Sequence, residues 1–342
     1  MADVAAQPHA DGAPRVLVAG ASGFAGALAA QLLWHHPDFE LAAVTARSGA
    51  GARLLDLYPR YRVPLVLSEL DTGAVDADAA VVAYPHGASG ETVAALAERG
   101  LRIVDLSADM RLRSADTYRE WYGEHPHPEL LGEAVYGLTE LHRERIAAAR
   151  IVGNPGCYPT AALLALAPLA RAGLVADAVI DAKQGISGAG RAFDERTHLS
   201  YAGENIVPYS VGAHRHAPEI EEQLAALGYD GGVLFQAHLV PLDQGELVSC
   251  YVAPTRPMTG GELAELYLDA YRDEPFVEIA AQAPGVREVR ETNFCRLHAA
   301  VDQRSGRLII FAAIDNLWKG TSSQAIQNLN VMFGLGEERG LT

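Results

Sequence analysis

Short apolar runs alternate with stretches of helical length through the first half of this chain. Arg15–Ala19 is apolar and ends in a glycine-rich turn, and an Ala/Leu helical pattern follows to about Trp34. Further strand-like runs cover Phe39–Thr45, Ala79–Tyr84, Arg102–Asp105 and Arg150–Gly153, with a helical pattern over Glu91–Gly100. Alternation of this kind predicts a parallel sheet with right-handed crossovers. An Ala/Leu-rich helix begins at Cys157–Thr160, with Pro159 suited to its first position, and stops near Gly173. The pattern then changes. Longer strand candidates at Val233–Val240, Leu247–Val252, Phe294–Val301 and Leu308–Ile314 flank one helix, Gly261–Tyr271. A last helix runs to about Phe333, with Thr321 and Ser322 as caps.

Composition narrows the possibilities. With 342 residues and 49% apolar content, the chain has material for two domains and a full core. A formal net charge of -16 argues against nucleic acid or an anionic membrane surface as partner, since both need a positive footprint. No apolar run approaches spanning length, and Met1–Pro14 lacks a signal pattern and reads as a floppy lead-in. Three cysteines without CxxC spacing give neither a disulfide scaffold nor a zinc site, so no metal is expected. The expectation is a reduced, cytoplasmic protein.

The turn Gly20-Ala21-Ser22-Gly23-Phe24-Ala25-Gly26 lies between a strand and a helix, the context of a phosphate-cradling loop. The second strand ends in Thr45-Ala46-Arg47-Ser48, without the acidic residue that holds a ribose 2′-hydroxyl. A cation and a hydroxyl suit a 2′-phosphate, so NADP is the expected cofactor, with Arg47 and Ser48 reading it. The expected fold class is therefore α/β: a Rossmann-type dinucleotide-binding domain, residues 1–157 with 316–342, and an α+β domain, residues 158–315, on a mixed or antiparallel sheet.

Gly153-Asn154-Pro155-Gly156-Cys157-Tyr158-Pro159-Thr160 places one thiol at the mouth of a helix. Free N–H groups and the helix dipole favour thiolate there, which makes Cys157 a candidate nucleophile. Gly212-Ala213-His214-Arg215-His216-Ala217-Pro218 sets two histidines before another helix start, suited to moving protons. Spacing leaves open which of them faces the thiol.

Together these pieces resemble the N-acetyl-gamma-glutamyl-phosphate reductase family, within the wider semialdehyde dehydrogenases. The resemblance rests on Ala19–Gly26, Asp105–Leu112, Gly153–Thr160, Ser187–Arg191, His214–Ile220 and Asp315–Gly320, in family order over nearly the whole chain. It implies NADPH-dependent reduction of an acyl phosphate through a thioester on Cys157, and a homodimer or homotetramer. His216 is the first choice for acid/base and His214 the second, with the other histidine on substrate. The resemblance further implies cofactor contacts from Gly20, Ser22, Gly23, Phe24, Ala25 and Gly26, from Pro85 and His86, and from Ser187, Gly188 and Asn316. Substrate contacts are implied for Arg111, Asn154, Arg191 and Tyr209. Two alternatives stand beside it: a reductase of another acyl phosphate, such as aspartyl or carrier-bound aminoadipyl phosphate, and a non-enzymatic NADP sensor.

Overall fold

The structure, a computed structural model, describes residues 12–342; most of the expected lead-in Met1–Pro14 lies outside them. The described chain divides into two units, one running up to Pro155 and completed by Thr321–Thr342, the other Gly156–Gly320. Cys157 and Asn316–Gly320 thus belong to the second unit, a few residues away from the expected boundaries.

In the first unit, β1 (Arg15–Ala19), β2 (Glu40–Thr45), β3 (Ala79–Val82), β4 (Arg102–Asp105), β5 (Val135–Tyr136) and β6 (Ile151–Gly153) form one sheet in the order β2-β1-β3-β4-β6-β5. Every pairing is parallel. The helices are α1 (Phe24–Trp34), the single turn α2 (Leu54–Leu57), α3 (Gly90–Glu98), α4 (Ala115–Tyr122) and α5 (Thr139–Ala147). The central strands are mostly apolar because helices cover the sheet: Val16, Val18, Ala80, Val82 and Ile103 are fully buried.

The second unit opens with α6 (Cys157–Arg171), followed by β7 (Val175–Gly185), the short α7 (Leu199–Ala202), β8 (Val207–Tyr209), α8 (Ala217–Ala226) and β9 (Leu234–Val240). Then come β10 (Glu246–Pro254), α9 (Gly260–Ala270), β11 (Val277–Ile279), β12 (Cys295–Val301) and β13 (Leu308–Ile314). Seven strands form a mixed sheet in the order β11-β12-β13-β10-β7-β9-β8. The central strand β7 has no counterpart in the sequence reading. Its Asp, Ala and Lys residues are weak strand formers, and pairing with β10 on one side and β9 on the other overrides that preference.

α6 is buried along almost its whole length. It contains Pro168, which has no N–H to give the carbonyl of Leu164 one turn earlier. The hydroxyl of Tyr271 donates to that carbonyl, and Tyr267 donates to its neighbour, Ala165. The buried carbonyl released by the proline is thereby paired.

The last helix, α10 (Ser323–Met332), corrects an expectation. A π-helical turn, Trp318–Ser322, runs directly into it. Ser322 makes no side-chain cap bond, and its hydroxyl donates instead to the carbonyl of Ala25 in α1. A helix that continues a preceding turn has fewer orphan N–H groups to cap.

Candidate active site

The glycine turn of the first unit has the shape a pyrophosphate needs. Gly20 has φ +91°, and a Cβ there would stand 2.6 Å from the carbonyl oxygen of Ala83. A Cβ on Gly26 would meet the oxygen of Gly20 at 2.4 Å, so helix and turn approach as only glycine allows. Space does not demand glycine at position 23, whose Cβ would make an ordinary contact. α1 has no side-chain cap and no acidic residue in its first turn. Its first intrahelical bond runs from Ala27 N–H to Gly23 O. The N–H groups of Phe24, Ala25 and Gly26 precede that bond and suit an anion. The cradle thus fits a dinucleotide. The carbonyl of Ser22 is taken by the hydroxyl of Tyr58 at 2.9 Å.

Arg47 lies past the end of β2, exposed, with its guanidinium 4.6 Å above the ring of Tyr84 and one N–H on the carbonyl of Ala88. Ser48 is exposed beside it. Pro85 and His86 are exposed after β3, and His86 Nδ1 accepts the N–H of Ala108 at 2.8 Å. The segment after β4 is held by two buried carboxylates. Asp109 accepts from the N–H groups of Gly87, Ser89 and Gly90 at the start of α3 and from Tyr118. Asp105 accepts from the hydroxyls of Ser89 and Ser107. Burial pushes Asp105 up to about 6, against those hydrogen bonds and with the charge of Asp109 adding to the rise.

Two expected substrate residues are turned into this framework. Arg111 is buried, with Nε on the carbonyl of Asn154 and a second nitrogen on that of Leu106, both at 2.7 Å. Asn154 is fully buried; its amide donates to Thr321 O at 3.0 Å and accepts from Asn328 at 3.0 Å. Both side chains brace the stretch that leads to the cysteine.

In the second unit Cys157 is the first residue of α6, with Gly156 as N-cap. Pro159 is therefore the third helical residue rather than the first. It is tolerated because no N–H in the first turn has an intrahelical partner. The first such bond is Thr160 N–H to Gly156 O, so the N–H groups of Cys157 and Tyr158 stand at the positive end of the helix dipole. Gln184, near the end of β7, donates its amide to Cys157 Sγ at 3.3 Å. A Cβ on Gly188 would fall 1.8 Å from that amide nitrogen, and a Cβ on Gly320 would fall 2.7 Å from Cys157 Cβ. Two glycines thus leave the room in which amide and thiol meet. Glu219, in the first turn of α8, is buried and accepts the N–H of Gly156 at 2.9 Å.

Across the sheet from Gln184 stands Glu246, its ladder partner. It is fully buried, and neither carboxyl oxygen has a hydrogen-bond partner of normal geometry, although the Cys157 thiol lies close enough to act on it. Burial pushes its carboxyl up to about 8; the thiol works against that rise and Asp315 adds to it.

The histidines sit in an aromatic surround. His214 packs edge-on to Tyr158, Tyr209 and Phe235, with ring centroids 5.6, 5.3 and 5.0 Å away. Its Nδ1 accepts the N–H of His216 at 3.1 Å, which leaves the proton on Nε2, 3.4 Å from the hydroxyl of Tyr209. Tyr209 donates in turn to the hydroxyl of Tyr158 at 3.2 Å. Burial, with Arg215 nearby, lowers His214 to about 4, so it is neutral at physiological pH. His216 is the N-cap of α8, its ring 4.9 Å from that of His214 and 5.8 Å from that of Tyr158.

Residues 15–149 match the semialdehyde dehydrogenase NAD-binding domain, and residues 157–316 the semialdehyde dehydrogenase dimerisation domain. Proteins named N-acetyl-gamma-glutamyl-phosphate reductase are similar over nearly the full length. The one from Dehalococcoides mccartyi is 46% identical, covering 94% of this chain and 95% of its own. That from Desulforudis audaxviator is 46% identical, covering 96% and 97%. The chain belongs to the N-acetyl-gamma-glutamyl-phosphate reductase family. Among solved structures, aspartate semialdehyde dehydrogenase II from Vibrio cholerae, complexed with ASA, superposes with TM-score 0.69 at 18% identity, covering 94% of this chain and 98% of that one. The Candida albicans aspartate semialdehyde dehydrogenase with NADP gives 0.68 at 16%, with the same coverage. At such identities these structures speak for the fold alone.

Not every residue expected from the family resemblance points outward. Ser187 donates its hydroxyl to Asp243 O, and the amide of Asn316 bridges Ser187 and the N–H of Gly245. Both side chains lock loops together. Arg191 is exposed beyond Gly190. Gln184 and Glu246 have no place in the sequence reading, and Glu219 stands there within the histidine motif without a role of its own. Glu219 reads as an ordinary acid in a helix first turn, and Gln184 and Glu246 as polar residues at strand ends.

Proposed function

We propose that this chain reduces N-acetyl-L-glutamyl 5-phosphate to N-acetyl-L-glutamate 5-semialdehyde with release of phosphate, a step of arginine biosynthesis, using NADPH. The observation that carries this reading is the Cys157 thiol at the head of α6 with the Gln184 amide on its sulfur, in a chain so similar to reductases of that name. Cys157 thiolate attacks the acyl carbon, the carbon–oxygen bond to phosphate breaks, and a thioester forms. The N–H groups at the start of α6 face the oxygen that gains charge. The nicotinamide, when bound, supplies the hydride. His216 gives a proton to the alkoxide oxygen of the thiohemiacetal and takes it back as the aldehyde leaves and the thiolate returns. His214, neutral and tied to Tyr209, orients substrate by hydrogen bonding. Phe24, Ala25 and Gly26 N–H groups would hold the pyrophosphate, and Arg47 with Ser48 the 2′-phosphate.

The half-exposed face of the second sheet supports self-association. Leu247, Tyr251, Ile309 and Phe311 lie there, on neighbouring strands β10 and β13, within the stretch that matches a dimerisation domain. A homodimer through this face covers them. Among the described residues no helix is long and apolar enough to cross a membrane. The three free thiols fit a reduced cytoplasm.

The test is the reverse reaction. Purified protein is given N-acetylglutamate semialdehyde, phosphate and NADP+, or aspartate semialdehyde in its place, and NADPH absorbance is followed. Formation with the first alone is expected. Formation only with the second overturns the substrate, and formation with neither overturns the enzyme. Cys157→Ser should abolish turnover while leaving NADPH affinity near that of the parent protein, because an alcohol lacks the accessible anion.

A further inference from the structure

Glu246 presents a problem that the chemistry above does not use. It is fully buried at the first position of β10, on the face of the sheet that carries α6, and its two carboxyl oxygens are unpaired. A carboxylate left in such a place without hydrogen bonds is strongly disfavoured. A neutral acid is less costly, but its O–H still needs an acceptor. The groups around it are few. Gln184 stands opposite on β7, and Ile314 opposite on β13. Asp315 adds negative charge, and the phenols of Tyr158 and Tyr209 feel the carboxyl as well. Among the described residues no cation acts on Glu246. Among the described residues, the group placed to exchange a proton with it by hydrogen bond is the Cys157 thiol.

We propose that Glu246 is the proton store of the nucleophile: it accepts the proton of Cys157 and, as a neutral acid, donates a hydrogen bond back to the thiolate. The S–H bond breaks, an O–H bond forms on the carboxyl, and the pair keeps one proton and one negative charge. The Gln184 amide is a second donor to the same sulfur, so the thiolate is held by two hydrogen bonds at the positive end of α6. In turnover, which rests on the reductase reading above, the thiolate becomes the thioester sulfur while the proton stays on Glu246. When the aldehyde leaves, the returning thiolate again accepts from the same O–H. The proton never has to leave the buried site: the negative charge of the thiolate departs with phosphate and comes back with the hydride. Protons shared in this way titrate as a property of the pair, in two steps.

The experiment needs neither substrate nor cofactor. The whole protein is alkylated with iodoacetamide from pH 5 to 10, and modification of Cys157 is followed by mass spectrometry; Cys250 and Cys295, both fully buried, serve as internal references. In the parent protein the rate should rise in two steps, with a reactive plateau around neutral pH. Glu246→Gln keeps shape and a donor but cannot take a proton, and should show one step. Glu246→Ala removes donor and acceptor, and its rate at pH 7 should fall by about tenfold or more, the worth of one pK unit. Circular dichroism checks folding; if the Ala variant does not fold, the isosteric Gln variant decides. The same single-step profile in parent and Gln variant overturns the proposal. A two-step profile in a protein that fails the reverse assay would leave the pair standing and strike the reductase reading alone.

Discussion

At the scale of single residues, environment separates groups that the sequence presents as equals. His214 and His216 stand two apart in one loop, yet His214 is enclosed by three aromatic rings and spends Nδ1 on a backbone N–H. His216→Asn should therefore lower turnover by roughly 10²–10⁴, the range for a lost acid/base. His214→Asn should chiefly raise the Michaelis constant for substrate. Stability gives a second readout. The folded pKa of His214, about 4, lies below the unfolded value, so the unfolded chain binds more protons between the two. Its contribution is complete above the unfolded pKa and is lost as pH falls toward 4. Denaturation midpoints of the parent protein should show this loss, on the order of 1–2 kcal/mol between pH 7 and 5, and His214→Asn should flatten the slope by that amount. Arg47, stacked on Tyr84 and exposed, belongs to the same scale. Arg47→Ala should weaken NADPH by about 1–3 kcal/mol and NADH much less, measured by fluorescence titration; equal losses would remove Arg47 from the 2′-phosphate.

At the scale of elements, the thiol is placed by a helix start, a strand end and two glycines. β7 carries Gln184 to the sulfur, and Gly188 leaves the space that its amide fills. Gly188→Ala should displace the amide and act through it alone. Gln184→Ala and Gly188→Ala should each cut the rate of Cys157 alkylation, and the double variant should be no worse than either. Additive losses would show that Gly188 serves something else. The dinucleotide turn follows the same logic, since Gly20 and Gly26 are fixed by carbonyls that a methyl group would strike.

At the scale of the whole molecule, two sheets of different kind share one chain, the first wholly parallel and the second mixed. The second sheet has a face covered by α6 and a face with half-exposed Tyr251 and Phe311. Phe311→Glu should shift a dimer to monomer in analytical ultracentrifugation while leaving the far-ultraviolet circular dichroism unchanged. An unaltered sedimentation coefficient would place the self-association elsewhere.

Local signals were legible because local physics writes them. Apolar runs give strands, glycine spacing gives the turn after β1, and the cysteine motif gives a helix start, since each depends on neighbours a few residues away. The second strand and the parallel order of the first sheet follow from the same alternation. What the sequence left unsaid depends on residues far apart in the chain. Strand β7 exists because β9 and β10 pair with its weak strand formers. Gln184 and Glu246 are polar residues at strand ends until the antiparallel register sets them side by side. Arg111, Asn154 and Asn316 have the chemistry of ligand-binding side chains, but each spends a hydrogen bond on backbone far along the chain. Residue type determines which bonds a side chain offers; only the tertiary structure decides which partners are within reach and which groups lose water.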